Sequence, residues 1–411
     1  MTLRTWPGPA RRTVGGLLPA AALALPLLVA PLLLVPLLTQ ANPATGAAPA
    51  KKTASGAATG KPASKPAHAS TSKPAAKDKA SKTAKARADD APDVVTYGRR
   101  DDVMAFADDL AQRRQLDPAW VRQQLAQARY LPSVARLIMP PPAGTAKSWM
   151  AYRARFIEPT RINAGLRFWQ QHEAALARAE AQYGVPAQIV VGIIGVETLY
   201  GRMTGNFRVL DALATLAFDF PTGRKDRTPF FRGELEELLA WCARDGCDPQ
   251  TVKGSYAGAI GLPQFMPGSI NRHAVDFDGD GHIDLLNSPV DAIGSVAHYL
   301  ANHGWQRGMP THYEVAVPTD TTQRATLLAP DITPTFTATQ MADLGAVLNE
   351  DARRHEGLLA LVELQNGEAA PSYVAGTANF YAVTRYNWSS YYAMAVIDLG
   401  ATVNAARLGA R

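Results

Sequence analysis

Val185-Pro186-Ala187-Gln188-Ile189-Val190-Val191-Gly192-Ile193-Ile194-Gly195-Val196-Glu197-Thr198-Leu199-Tyr200-Gly201 is the stretch from which the fold can be read. Ile189 to Val196 is apolar at every position, and a helix without a polar stripe has to be buried on all sides. Pro186 suits its first turn, where the missing N–H costs nothing, and Gly201 offers a stop one turn after Glu197. The predicted helix, Pro186 to Tyr200, therefore lies inside the protein and carries a carboxyl at its end. A carboxyl in apolar surroundings loses hydration, which penalises its ionised form and raises its pKa. Such a group holds a proton near neutrality and can donate it. The competing reading is a glutamate that faces water or pairs with Arg202.

Outward from this helix, the composition divides the chain. The 411 residues carry a net charge of +6, yet residues 1–93 hold thirteen Lys/Arg against four Asp. Residues 94–411 are thus slightly acidic, which argues against nucleic acid as a partner of the folded part. Arg4, Arg11 and Arg12 precede an apolar stretch from Val14 to Leu38, and Thr39-Gln40-Ala41 follows. Basic start, apolar middle and small-residue end predict a secretory signal over 1–41, or a membrane anchor if it stays uncleaved. No cysteine lies near it to take a lipid. Residues 42–93, almost wholly Ala, Lys, Pro, Ser, Thr and Gly, have too little apolar surface to offset ordering entropy and predict a flexible linker. The only cysteines, Cys242 and Cys247, can form a short-range disulfide in an exported protein or remain two buried thiols.

Residues 94–411 have globular composition. Helical spacing runs from Asp102 to Arg113 and from Arg161 to Tyr183, and Asp117-Pro118 reads as a cap with a first-turn proline. Further helices are predicted over Glu234–Ala243, Pro289–His303 and Trp388–Leu408. Residues 309–386 read as a small α/β insertion, with strand-like runs at Tyr313–Val317, Leu359–Leu364 and Ser372–Val383. Asn366-Gly367 marks a turn within it, and Thr339–Leu348 a helix.

Asp276-Phe-Asp278-Gly-Asp280-Gly281-His282-Ile283-Asp284 places carboxylates at alternate positions with a glycine at the sixth, the pattern of an EF-hand Ca²⁺ loop. Its twelfth position is Asn287 rather than a bidentate Glu, so coordination needs a weaker ligand or Asp291. A metal-free Asp/Gly turn is the alternative. Lys253 to Pro267 is rich in small residues that let backbone approach a ligand, with Ser255 and Gln264 beside them. Thr384-Arg385-Tyr386-Asn387-Trp388-Ser389-Ser390-Tyr391-Tyr392 interleaves aromatic faces with polar groups, which suits sugar rings or an aromatic core.

Together these segments resemble the lytic murein transglycosylase B family. The resemblance rests on Val196-Glu197-Thr198, Tyr200-Gly201-Arg202, Leu210 to Leu216, Gly254 to Ala259, Gln264-Phe265-Met266-Pro267, the Asp-rich loop, Asp291 to Val296, His303-Gly304-Trp305 and Arg385-Tyr386-Asn387, in order. It implies a mainly α (α+β) protein: a lysozyme-like helical catalytic core, an added helical region, the α/β insertion and a single EF-hand-like loop. It also implies a peptidoglycan lytic transglycosylase that cleaves the MurNAc-β-1,4-GlcNAc bond and leaves 1,6-anhydro-MurNAc ends. Glu197 is then the catalytic acid and afterwards the base. Tyr152, Ser255, Gln264, Tyr299, Tyr386, Asn387 and Tyr392 are the implied substrate-binding residues. Asp276, Asp278, Asp280, His282 (through its backbone oxygen) and Asp291 are the implied ligands of a structural Ca²⁺, and no organic cofactor is implied. The sequence departs from the family after Pro221, where Thr222 to Arg227 is longer than the usual arginine pair.

The expected partners are peptidoglycan glycan strands and cell-wall synthesis enzymes. The expected state is a periplasmic monomer, touching membrane only through an uncleaved N-terminal segment. Two alternatives remain: a hydrolytic muramidase of the same fold, and a non-catalytic peptidoglycan-binding envelope protein.

Overall fold

A computed structural model describes residues 95–140 and 147–409. The predicted signal and linker, 1–93, lie outside the described residues. After a short 3-10 turn at Tyr97–Arg99, the chain forms α1 (Asp101–Arg114), α2 (Pro118–Ala126), α3 (Pro132–Leu137), α4 (Trp149–Ala154), α5 (Pro159–Gln171), α6 (Glu173–Tyr183) and α7 (Ala187–Thr198). Then follow β1 (Phe207–Arg208), α8 (Val209–Phe218), α9 (Thr228–Asp245), β2 (Lys253–Gly254), α10 (Pro267–His273) and α11 (Pro289–Asn302). The insertion comprises β3 (His312–Ala316), α12 (Thr321–Leu328), α13 (Ala338–Asp343), β4 (Val347–Leu348), α14 (Glu350–Arg353), β5 (Ala360–Asn366) and β6 (Ala369–Gly376). Finally α15 (Ala378–Thr384) leads to α16 (Ser390–Gly409). Among the described residues no helix is long and apolar enough to cross a membrane.

α7 is the central element, as its sequence demands. Every residue from Ile189 to Val196 is buried, against α16 on one side and α5, α6 and α11 on others. Glycines set how closely α16 can come: a Cβ on Gly192 would run into the Val396 carbonyl, and one on Gly400 into that of Gln188. Propensity alone would make Gly192→Ala stabilising by about 1 kcal/mol. Overpacking against a fixed backbone costs about 1–3 kcal/mol and wins. The Gly192→Ala protein should therefore melt below the wild type by calorimetry; an unchanged or higher Tm would refute this account of the contact.

Capping follows chemistry visible in the sequence. The Asp117 carboxylate accepts from Ala119 N at 2.9 Å with Pro118 in the first turn, and Ser288 Oγ accepts from Asp291 N at 3.2 Å at the head of α11. Three expectations change. The single helix expected over Arg161–Tyr183 is two, because His172 leaves helical geometry (φ −122°, ψ 24°) while its ring packs on Phe168. The helix expected over Thr339–Leu348 stops at Asp343, since Gly345 turns left-handed at φ 81°, and the chain re-emerges as β4. The strand expected to continue to Val383 ends at Gly376, where Thr377 caps α15 by accepting from Asn379 N.

The insertion is an antiparallel sheet in the order β4-β3-β6-β5, paired at Val315↔Leu348, Tyr313↔Ala375 and Val362↔Val374. Leu327, Met341, Leu348, Leu359 and Leu361 give it a small core of its own. β1 and β2 form a separate pair, Phe207↔Gly254, which anchors the small-residue stretch. Cys242 and Cys247 are joined in a disulfide across the end of α9.

Candidate active site

Glu197 lies in the last turn of α7, and the backbone behind it turns sharply. Leu199 and Tyr200 are left-handed (φ 50° and 58°), so the helix ends at Thr198, two residues short of the expected Tyr200. Two contacts hold that costly geometry. Thr198 Oγ1 donates to Leu262 O at 2.9 Å and accepts from Gly201 N at 3.0 Å, tying the turn to the small-residue stretch. The Tyr200 ring folds back against Phe168 on α5.

The carboxyl itself opens onto a cleft, and all seven expected substrate-binding residues line that cleft with it. Tyr392 OH donates to Glu197 Oε1 at 2.6 Å. Among the described residues no Arg or Lys forms an ion pair with Glu197, so the Arg202 alternative is not observed. Burial pushes the Glu197 pKa up to about 7, with the Tyr392 hydrogen bond working against that rise. The sign is testable. The Tyr392 hydroxyl favours the ionised carboxylate, so Tyr392→Phe should move the Glu197 titration, followed by carboxyl ¹³C NMR, to higher pH. A downward move would mean that the hydrogen bond acts otherwise.

One wall is a row of rings. Tyr392 stacks on Tyr386 (centroids 6.2 Å, 16° between planes), and Tyr386 meets Tyr299 at 4.9 Å. Besides Tyr392, the hydroxyls are spent on backbone: Tyr386 OH donates to Pro263 O, and Tyr299 OH to Arg385 O at 2.7 Å. These side chains therefore offer faces to a ligand rather than free hydroxyls. Tyr152 belongs to a separate aromatic group, with Trp149, Phe156 and Tyr391. Asn387 is buried at the cleft margin. Ser255 closes a tight turn, its Oγ accepting from Ala259 N at 3.0 Å. Gln264 is left-handed (φ 52°); its Nε2 donates to Thr204 O and Gly261 O, and its buried Oε1 has no partner among the described residues. A strained residue with an unpaired carbonyl in a cleft has the form of a ligand-binding group.

The structure adds residues that the sequence did not single out. Glu234 of α9 is a second carboxyl in the cleft, buried, accepting from Gly268 N at 2.8 Å, with its pKa raised by burial. No spacing signal marks it; it sits at an ordinary inward position of a helix. Arg272, His273, His303 and Arg385 also line the cleft. Arg224 instead donates to Ile138 O and lies over the Phe220 ring. Asp211 is committed to structure, accepting from Arg129 N and Arg208.

In the Asp-rich loop, Asp276, Asp278 and Asp291 bring ligand oxygens within 4.8 Å of one another. Asp291 is buried and accepts three backbone N–H bonds, from Phe277 (2.7 Å), Asp278 (3.2 Å) and Asp284 (2.9 Å). Asp280, expected among the ligands, is outside this group: its carboxylate accepts from His282 N at 2.8 Å, and both residues are exposed. Asn287, at the twelfth position, donates through Nδ2 to Asp284. Carboxylates retain lone pairs beyond those bonds, so an all-oxygen set of this kind fits a hard divalent cation.

Residues 98–401 match the family described as the transglycosylase SLT domain. The membrane-bound lytic murein transglycosylase B of Escherichia coli (strain K12) is 42% identical over 311 residues, covering 74% of this chain and 82% of that one. The E. coli lytic transglycosylase Slt35 in complex with calcium superposes with a TM-score of 0.66 at 40% identity, over 76% of this chain and 95% of that one. Pseudomonas aeruginosa SltB3 in complex with NAG-anhNAM-pentapeptide gives 0.60 at 28% identity, over 74% and 79%.

Proposed function

The chain belongs to the transglycosylase SLT domain family and is a peptidoglycan lytic transglycosylase, and from that premise we propose that Glu197 alone serves as its acid and then its base. The observation that carries this is a carboxyl that lines an aromatic cleft, forms no ion pair among the described residues and has its pKa pushed up to about 7 by burial. Such a group is protonated often enough to donate and ionised often enough to accept at neutral pH.

Protonated Glu197 gives its proton to the oxygen joining N-acetylmuramic acid to N-acetylglucosamine. As that bond breaks, positive charge develops at C1 of the muramic acid, steadied by its acetamido group or by cleft dipoles. The Glu197 carboxylate then takes the proton of the C6 hydroxyl, whose oxygen bonds to C1 and closes a 1,6-anhydro ring. Glu197 regains its proton and no water is consumed. An intramolecular nucleophile has a large effective concentration over water. That SltB3 is found with an anhydro-sugar ligand supports this product. Tyr386, Tyr392, Tyr299 and Tyr152 would face the sugar rings, and Gln264, Ser255 and Asn387 would take polar edges.

Glu234 gives the hydrolytic alternative a specific basis, since hydrolysis commonly uses two carboxyls. Its engagement with the α10 backbone speaks for an anchoring part instead. Mass spectrometry of muropeptides released from purified sacculi decides: products one water lighter than hydrolysis products support the proposal, and hydrolytic masses overturn it.

Asp276, Asp278 and Asp291 would hold Ca²⁺, as the Slt35 calcium complex supports, its charge joining the loop to α11. Glycan strands are the partner, and the cell envelope, on the periplasmic side, is the location that this substrate and the membrane-bound relative support.

A further inference from the structure

His273 continues the row of rings beyond Tyr299, meeting it edge-on at 5.0 Å, and His303 lies 5.0 Å from His273. The protons of this group follow from two backbone carbonyls, which can only accept. The first is His273 O, 2.9 Å from His298 Nδ1, so that nitrogen carries hydrogen. In a neutral His298 ring Nε2 is then an acceptor, and Asn302 Nδ2, at 3.0 Å, is its donor. This fixes the Asn302 amide with nitrogen toward the rings. The same Nδ2 is 3.2 Å from His273 Nδ1, which accepts too. A neutral His273 therefore holds its proton on Nε2. The second carbonyl is Tyr299 O, 2.7 Å from His303 Nδ1, so His303 carries its proton there and leaves Nε2 bare.

Neither Nε2 has a hydrogen-bond partner among the described residues, and both rings line the cleft. Both are held uncharged: burial, then His303, Arg272 and His298, press His273 down to about 4, and burial lowers His303. Two rings with centroids 5.0 Å apart thus carry one N–H donor and one bare nitrogen, where the neighbouring tyrosine hydroxyls are already occupied. A hydroxyl is the group that satisfies both at one point, accepting from the first and donating to the second. We propose that His273 and His303 form a binding subsite for a sugar hydroxyl of the glycan strand, with Asn302 positioning the His273 tautomer. This rests on the glycan reading of the cleft. The site is several rings from Glu197, so it contributes binding rather than proton transfer.

The test uses the full chain at pH 8. Histidine ¹H–¹⁵N correlation spectra should show hydrogen on Nε2 of His273 and on Nδ1 of His303, and both rings should shift on titration with an N-acetylglucosamine tetramer. His273→Gln keeps an amide N–H near the Nε2 position, whereas His273→Asn places it near Nδ1. Asn should raise the apparent KM for sacculi about three- to tenfold at unchanged kcat, and Gln should largely restore it. Reversed tautomers, unshifted rings, or a Gln variant no better than Asn would overturn the subsite while wild-type turnover left the function intact. A wild-type chain that released no product would instead overturn the function on which the subsite rests.

Discussion

Glu197→Gln should release no detectable muropeptide from sacculi that the wild type digests, a loss of at least about a thousandfold. General acid–base assistance contributes about 10²–10⁴ per step, and here one group is asked to supply it twice. The amide keeps the shape of the side chain and can still meet the Tyr392 hydroxyl, but it can neither give nor take the proton. Stability supplies the control. A carboxyl whose folded pKa is about 7, against 4.5 when unfolded, binds its proton more tightly in the folded state. The wild type therefore loses stability as pH climbs from about 4.5 to about 7, and keeps that deficit above it. Glutamine does not titrate. The variant should match the wild type near pH 4 and exceed it above pH 7, by about 3 kcal/mol. Inactivity together with a higher Tm at pH 8 isolates the chemistry from the fold; a variant that retains measurable turnover would sink the assignment.

The same residue shows what a linear reading can reach. Glu197 was legible because the apolar run ahead of it forces burial, and burial forces the pKa upward; neither inference needs a distant partner. The resemblance gathered the aromatic segment and the small-residue stretch around it, and the geometry agrees. What stayed hidden is what depends on non-local contacts. Tyr392 was expected as a wall, yet its hydroxyl meets a carboxylate 195 positions away. Glu234 carries no mark of its own, since a buried helix position holding Glu reads like any exposed one until α10 is laid against it. His172 broke a helix that periodicity joins, because both halves keep the same spacing across a one-residue lapse. The metal loop is instructive in the other direction. Alternate spacing points equally to Asp276, Asp278 and Asp280, but spacing cannot say which carboxylates approach one another, and the oxygens that lie within 4.8 Å are those of Asp276, Asp278 and Asp291, the last on the following helix.

Asp291 is for that reason a polar side chain whose removal should cost the fold heavily. The residue is 1% exposed, and its carboxylate accepts three N–H groups from both limbs of the loop, at Phe277, Asp278 and Asp284. It also sits in the first turn of α11, where a negative charge is favoured by the helix dipole. Asp291→Ala leaves those donors unpaired at about 1–3 kcal/mol each if they stay dry. The loop can relax and rehydrate some of them, so a total near 3 kcal/mol is expected rather than the full sum. Asp291→Asn keeps one accepting oxygen and should fall between. Cation binding gives a second, independent readout, because a ligand that binds only the folded state raises its melting temperature by mass action. The wild type should melt higher in millimolar CaCl2 than in a chelator, and Asp291→Ala should show no difference between the two. A calcium response that survives in Asp291→Ala would place the ion on other oxygens. An alanine variant as stable as the wild type in chelator would mean that the three N–H bonds hold nothing that water cannot replace.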